Sequence, residues 1–234
     1  MKRNQSGFTL IEIAIVLVII GLLLGGVLKG QELINSAKVK NLATDFRNIP
    51  VFIYGYQDKF KALPGDDPGV VAHVGGTLAT TGGTVGNGLI EGAWNSYTKT
   101  DESYLFWQHV RLAGLAPGAT TLPTGTAIAG DGYKPVNAVG GEIGIQSGTS
   151  SLILTPMQDA SSVAIRGTYI ICSPNILGKF AKQLDIQLDD GNTATGNMLT
   201  YDVTFGAAPY ALGKSATPTT SIADADIVVV CMGV

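Results

Sequence analysis

The sequence predicts an α+β fold, one long N-terminal helix laid on an antiparallel β-sheet head. Three observations predict it. After Phe8-Thr9-Leu10-Ile11-Glu12 the chain runs without a break through apolar residues to Leu28. Beyond it, Leu42, Phe46, Ile49, Ile53, Tyr56 and Phe60 recur at alternating steps of four and three, which puts them on one stripe of a helix. The C-terminal half then holds short β-branched and aromatic runs bounded by Gly, Pro, Asn and Ser, the pattern of strands joined by turns.

Residues 1–7, Met-Lys-Arg-Asn-Gln-Ser-Gly, form a short basic leader. Residues 8–28 make roughly 31 Å of helix, enough to cross a bilayer core. A secretory signal peptide places its small-residue cleavage site after the apolar run, whereas here the small residue, Gly7, precedes it. The apolar helix is therefore expected to stay in the mature protein. Residues 29–62 continue the helix in amphipathic form, and Phe8 to about Phe60 would span roughly 80 Å. Pro50 falls inside this stretch and is expected to interrupt and kink it, because proline removes a backbone donor and crowds the preceding turn.

Pro64-Gly65-Asp66-Asp67-Pro68 ends the helix, and residues 63–234 are expected to form a single globular α+β head without internal repeats. Residues 69–100 lack a helical period and read as loop with short turns. Asp101 reads as the N-cap of a helix from Glu102 to about Ala113, with Leu105, Val110 and Leu112 among its buried residues. Residues 116–150 are again Gly/Pro/Thr-rich. Strands are expected at Ser151–Thr155, Val163–Cys172, Met198–Phe205 and Ile227–Met232. Between the second and third, Ile176, Leu177, Phe180, Ala181 and Leu184 have helical spacing.

A net charge of −3, only 14% charged residues and no basic stripe give no indication of a nucleic-acid partner. Glu12 is out of place by the same standard. An acid in a membrane helix costs about 2.5 kcal/mol or more on insertion scales. Either it snorkels to the headgroups from its position one turn beyond Phe8, or it meets a cation within the apolar layer.

Gly7-Phe8-Thr9-Leu10-Ile11-Glu12, followed by the apolar run, resembles the processing motif of type IV prepilins and type II secretion pseudopilins. The resemblance implies that a prepilin peptidase cuts between Gly7 and Phe8 and that the new amino terminus of Phe8 is N-methylated. It also implies that Glu12 meets the amino-terminal nitrogen of a neighbouring subunit, which supplies the cation. Gly21 falls where pilins often carry a glycine. The proline that many pilins place further along this helix is absent, and Lys29 stands there; Gly25, Gly26 and Gly30 supply a comparable local weakness. Lys59-Phe60-Lys61-Ala62-Leu63-Pro64-Gly65-Asp66 resembles the stretch where many such proteins leave the first helix. The likeness covers roughly residues 1 to 70.

A pilin-like chain of this kind is a structural subunit of a type IV pilus or related filament, not an enzyme, and the size of the head favours a minor subunit. Its implied partners are the prepilin peptidase, other pilin or pseudopilin subunits, the inner membrane and the filament assembly machinery. Two alternatives stand beside it: a type II secretion pseudopilin, and a membrane-anchored extracytoplasmic binding protein or adhesin that uses the Gly/Thr-rich loops.

Lys2 and Arg3 should keep the leader cytoplasmic, which makes the chain a single-pass inner-membrane protein with its head in the oxidising periplasm before it enters a filament. A Cys172–Cys231 disulfide is then expected, contributing about 4 kcal/mol by chain entropy. The alternative is two buried thiols packed as small hydrophobes. Neither cysteine has a nearby Cys or His in the sequence, so a cysteine metal site is not expected.

Other constellations have bland readings. Asp66, Asp67, Asn87 and Glu91, or Asp189, Asp190 and Asn192, carry oxygen ligands suited to calcium, but Asp-Asp-Pro and Asp-Asp-Gly are first of all turn sequences. No cofactor is expected, with calcium as the alternative. No metal or catalytic role is expected for His73 or His109. Ala208 to Ser215, with Gly213-Lys214-Ser215, fits a relaxed phosphate-loop pattern, but its first glycine is replaced by Ala208 and no helix is expected after Ser215.

Overall fold

The computed structural model describes residues 10–148, 155–203 and 212–234. The chain has an α+β architecture and divides into two units, Met1–Lys38 and Val39–Val234. The first helix, α1, runs Leu10–Phe60 and continues through Pro50 without the expected interruption. Proline removes only its own N–H from the ladder, and the stripe on either side of Pro50, at Ile49 and Ile53, is held by burial in the head.

Within the second unit, α1 buries Val39, Leu42, Ala43, Phe46, Ile49, Ile53 and Tyr56, while Phe60 is half-buried. This stripe joins a core built from Tyr104, Phe106, Trp107 and Val110 of α3 (Glu102–Leu112), with Phe180, Ala181 and Leu184 of α4 (Gly178–Leu188) and one face of the main sheet. A five-residue helix, α2 (Val70–Val74), lies in the stretch expected to be loop; one turn of helix is too short to reveal a period in the sequence.

The main sheet is antiparallel, in the order β1-β3-β6-β4, from β1 (Gly144–Ser147), β3 (Tyr169–Leu177), β4 (Met198–Asp202) and β6 (Ile227–Gly233). Its residues alternate between two cores. Ile171, Val228, Val230 and Met198 face the helices, whereas Ile170, Cys172, Val229, Cys231 and Leu199 join a second cluster with Trp94, Met157 and Ile165. Burial on both faces explains the nearly continuous apolar run of β6. A small parallel ladder pairs β2 (Met157–Gln158) with β5 (Lys214–Ser215).

Several expected boundaries are corrected. β3 begins at Tyr169, not Val163, and runs on to Leu177. At Ser173-Pro174-Asn175 it has a bulge with a register shift between Ser173 and Ile176, and Asn175 takes φ +61. Ile176 and Leu177 therefore pair with Val228 and Ile227 in the sheet instead of opening α4. β1 lies in the Gly-rich segment expected to be loop; its Gly144 has no room for a Cβ, which would stand 1.9 Å from the Trp94 carbonyl oxygen. Of the strand expected at 151–155, residues 151–154 lie outside the described residues, and Thr155 is not in a strand. β4 ends at Asp202, and residues 204–205 of that expected strand are also outside the description.

Cys172 and Cys231 sit directly opposite one another in β3 and β6 and form a disulfide with a Cα separation of 4.1 Å. Both are fully buried, in strand interiors.

The α1 stripe gives a direct test. Ile53→Ala should cost about 2–5 kcal/mol of head stability, because Ile53 is fully enclosed. Val51→Ala, on the exposed face two residues away, should change it by no more than about 0.5 kcal/mol. Urea denaturation followed by tryptophan fluorescence would check both; equal effects would mean the stripe does not carry the packing.

Candidate functional site

Apolar residues normally leave water on folding, and the N-terminal part of α1 does not follow that rule within one chain. From Leu10 to Lys29 every residue is exposed, with Leu10 at 92% and Leu22 at 74%. This segment is long and apolar enough to cross a membrane. Glu12 lies in the first turn of the helix, where a negative charge meets the positive end of the helix dipole. Gly7 and Phe8 lie outside the described residues.

The head is organised by α3, in which every residue from Glu102 to Arg111 is buried. Such a helix must satisfy its polar side chains internally, and the surrounding loops supply the partners. Asp101 stands at the N-cap position, but its side chain does not cap the helix. It accepts hydrogen bonds from Thr81 Oγ1 and Ser96 Oγ, each at 2.6 Å, and so ties two loops to the helix start. Gln108 Oε1 accepts from the Thr77 N–H, and its Nε2 donates to the Thr120 carbonyl. Arg111 donates to the carbonyls of Pro117 and Ala119.

His109 belongs to the same system. Its Nδ1 accepts from the Gly65 N–H at 2.8 Å, which places the ring proton on Nε2, 2.9 Å from the Thr77 carbonyl it donates to. Burial above all holds its pKa below the usual histidine range. A neutral histidine with both nitrogens engaged is a loop clamp, not a ligand or a base. Gly65 has φ +96, and a Cβ there would stand 2.5 Å from the Glu102 carbonyl oxygen, so the approach to α3 requires glycine.

The first suggested calcium set is brought together only in part. Asp66 accepts from the N–H groups of Gly86, Asn87 and Gly88, and Glu91 Oε2 accepts from Thr84 N and Asn87 Nδ2. The loop wraps the two carboxylates with donors, the environment of an anion anchor. Asp67 turns elsewhere, to the Tyr56 hydroxyl, the Gly69 N–H and His73 Nδ1 at 2.7 Å. Burial alone would raise the Asp67 pKa, but these partners together hold it below the usual carboxylate range. His73 also stacks on Phe60.

Sequence reading missed Glu102, a fully buried acid beside this loop. Its Oε2 accepts from the Glu91 N–H at 2.7 Å. Burial first, then the neighbouring Asp66 and Glu91, push its pKa up to about 8, so it is largely protonated at neutral pH.

The second suggested set is altered rather than assembled as expected. Among the described residues, the ligating group close enough to hold an ion is Asp185, Asp189 and Asp190. Asn192 instead caps the turn through its backbone and side chain: its N–H donates to Asp190 Oδ1, and its Oδ1 accepts from Ala194 N. Asp185 was not anticipated; it is one turn inside α4 and fully buried, a position that reads as core. Lys214 and Ser215 lie in β5, so no helix N-terminus follows the phosphate-loop pattern at this point; residues 208–211 of that pattern are outside the description.

Residues 2–28 match the family model of the prokaryotic N-terminal methylation motif, the leader signature of type IV pilins and pseudopilins. The match supports a processed, pilin- or pseudopilin-like subunit with a membrane anchor, and it implies processing by prepilin peptidase and assembly with other pilins. No curated protein and no solved structure matches the chain.

Glu102 sets a pH dependence. A carboxyl raised from about 4.5 in the unfolded chain to about 8 in the fold loses stability as pH climbs between those values, by a few kcal/mol at most. Glu102→Gln keeps an acceptor for the Glu91 N–H and removes the ionisation. Relative to the parent, this variant should show a shallower fall in urea midpoint from pH about 5 to about 8, and greater stability at the upper end. An unchanged slope would assign the dependence to other groups.

Proposed function

We propose that the chain is a structural subunit, and a minor one, of a type IV pilus or related filament, working by assembly rather than catalysis. The observation that carries this reading is a coincidence of position. The methylation motif at residues 2–28 overlaps the part of α1, Leu10 to Leu28, that is exposed among the described residues, with an acid in its first turn.

Before assembly, the apolar segment anchors the chain in the inner membrane, with the leader cytoplasmic and the head in the periplasm. Prepilin peptidase then cuts between Gly7 and Phe8 and methylates Phe8. In the filament the exposed face of α1 exchanges lipid for the helices of neighbouring subunits. Glu12 meets the amino terminus of a neighbour. Two opposite charges in an apolar bundle attract strongly, although desolvation consumes much of the gain, so their main effect is to set the stagger between subunits. The Cys172–Cys231 bridge suits a head exposed to an oxidising compartment.

Processing is read by intact mass spectrometry of protein from its host, which should give a chain beginning at methylated Phe8. A mature chain that begins at Met1, or well beyond Leu28, would sink the proposal. Substituting Gly7 by a bulky residue should leave the leader attached.

The role of Glu12 separates from processing. Glu12→Val should insert and be cleaved normally but enter filaments poorly, by about tenfold for each 1.4 kcal/mol of lost contact. Quantifying the variant in sheared filaments against the membrane pool tests this. Normal incorporation would return Glu12 to the headgroups.

A further inference from the structure

We propose that the cavity lined by Lys134 and Glu142 in the head binds a small zwitterion, an aliphatic α-amino acid. The cavity holds about 710 Å³, within the range of small-molecule sites. Residues 94–97, the loop 127–142 and the β3 bulge surround it. Two of these walls are locked together. Asn137 Nδ2 donates to Ser173 Oγ and to the Pro174 carbonyl, each at 2.8 Å, and Gly141 lies so close to that carbonyl that no Cβ would fit between them. The bulge and the loop are thereby fixed, and the space between them is formed in advance of any ligand.

Lys134 carries the proposal. It lines the cavity although only 3% of it is exposed. Burial pulls its pKa down to about 8, which leaves it mostly charged at neutral pH. A buried ammonium is costly unless its protons are answered. Nζ donates to the Ser96 carbonyl at 3.2 Å and stands 4.0 Å from the centre of the Tyr97 ring. Glu142 Oε2 is 4.0 Å away, an ion pair too long for a hydrogen bond. One N–H therefore has a carbonyl and one a ring face, and the third has no acceptor among the described residues. Glu142 is held from two sides: Oε1 accepts from the Gly130 N–H at 2.7 Å and Oε2 from the Tyr97 hydroxyl at 2.6 Å. Each oxygen keeps a lone pair for a further donor.

Charge then selects the ligand. The polar wall sets one cation beside one acid. A plain anion would face Glu142, and a plain cation would face Lys134. A molecule with a carboxylate and an ammonium on one carbon answers both: its carboxylate accepts from the remaining N–H of Lys134, and its ammonium donates to Glu142. A neutral sugar suits the cavity less. Sugars stack on open aromatic faces, but Trp94 is only 3% exposed and Lys134 occupies a face of Tyr97. The exposed apolar residues at the cavity are aliphatic, Ile128 and Val136. An aliphatic side chain laid against them removes apolar surface from water on both partners.

The test is isothermal titration of the full-length chain in detergent, with leucine as the probe. Leucine should bind at one site per chain with a Kd of about 1 mM or tighter. Isocaproate, which lacks the ammonium, and isoamylamine, which lacks the carboxylate, should each bind about tenfold more weakly or worse. Lys134→Met should weaken leucine binding by about tenfold or more. Because Lys134 is buried, a second variant guards against a folding defect. Ala129→Trp, at an exposed residue lining the cavity, should fill the space and abolish binding while the urea midpoint stays that of the parent. The proposal falls if leucine does not bind, if either analogue binds as tightly as leucine, or if Ala129→Trp binds leucine as the parent does. Binding of glucose in place of leucine would assign the cavity to a sugar and overturn the charge argument. None of these readouts depends on filament assembly, so the outcome is separate from the reading of the N-terminal helix.

Discussion

Burial of α3 on all sides is the constraint on which the head depends. A helix without a solvent face must find its polar partners internally, and Glu102, Ser103, Gln108, His109 and Arg111 of α3 do so. The partners are backbone groups of loops: Gly65 and Thr77 at His109, Thr77 and Thr120 at Gln108, Pro117 and Ala119 at Arg111, Ala93 at Ser103. Much of the Gly/Thr-rich segments is thereby ordered outside regular structure, with α2 and β1 as the exceptions. The α1 stripe then closes over one side of this helix, and the sheet closes over another.

Buried acids in the head are answered in three different ways. Asp66 sits against a nest of backbone N–H groups, whose fixed dipoles offset part of the lost water, although burial still raises its pKa. Glu102, with one N–H donor and two acidic neighbours, is answered by a proton. Asp185 takes a backbone N–H from Gly191, which lowers its pKa, but burial first and then the charges of Asp189 and Asp190 push it up to about 7. Three buried acids in three settings give an anchor, a neutral acid and a group poised near neutrality, which is the sense in which environment rather than identity assigns the role.

The N-terminal part of α1 poses the opposite problem. Leu10 to Lys29 are exposed among the described residues. A surface of this length and apolarity is stable only in lipid or against other apolar helices. The two environments that a pilin-like subunit passes through satisfy that requirement in turn, and the head contributes what the anchor cannot: a water-facing domain with a covalently stapled sheet.

Periodicity and punctuation in the sequence determined the long helix, its apolar and amphipathic halves, the helix from Glu102 and the last strand, because each rests on local patterning that burial then reinforces. The methylation motif was equally legible, since it consists of adjacent residues. Tertiary structure alone decided the rest. β1 is a strand because Gly144 passes against Trp94, and β3 crosses Pro174 because a bulge restores its pairing with β6. The roles of His109, Glu102 and Asp185 were out of reach for the same reason. Each role is set by burial and by groups that packing brings together.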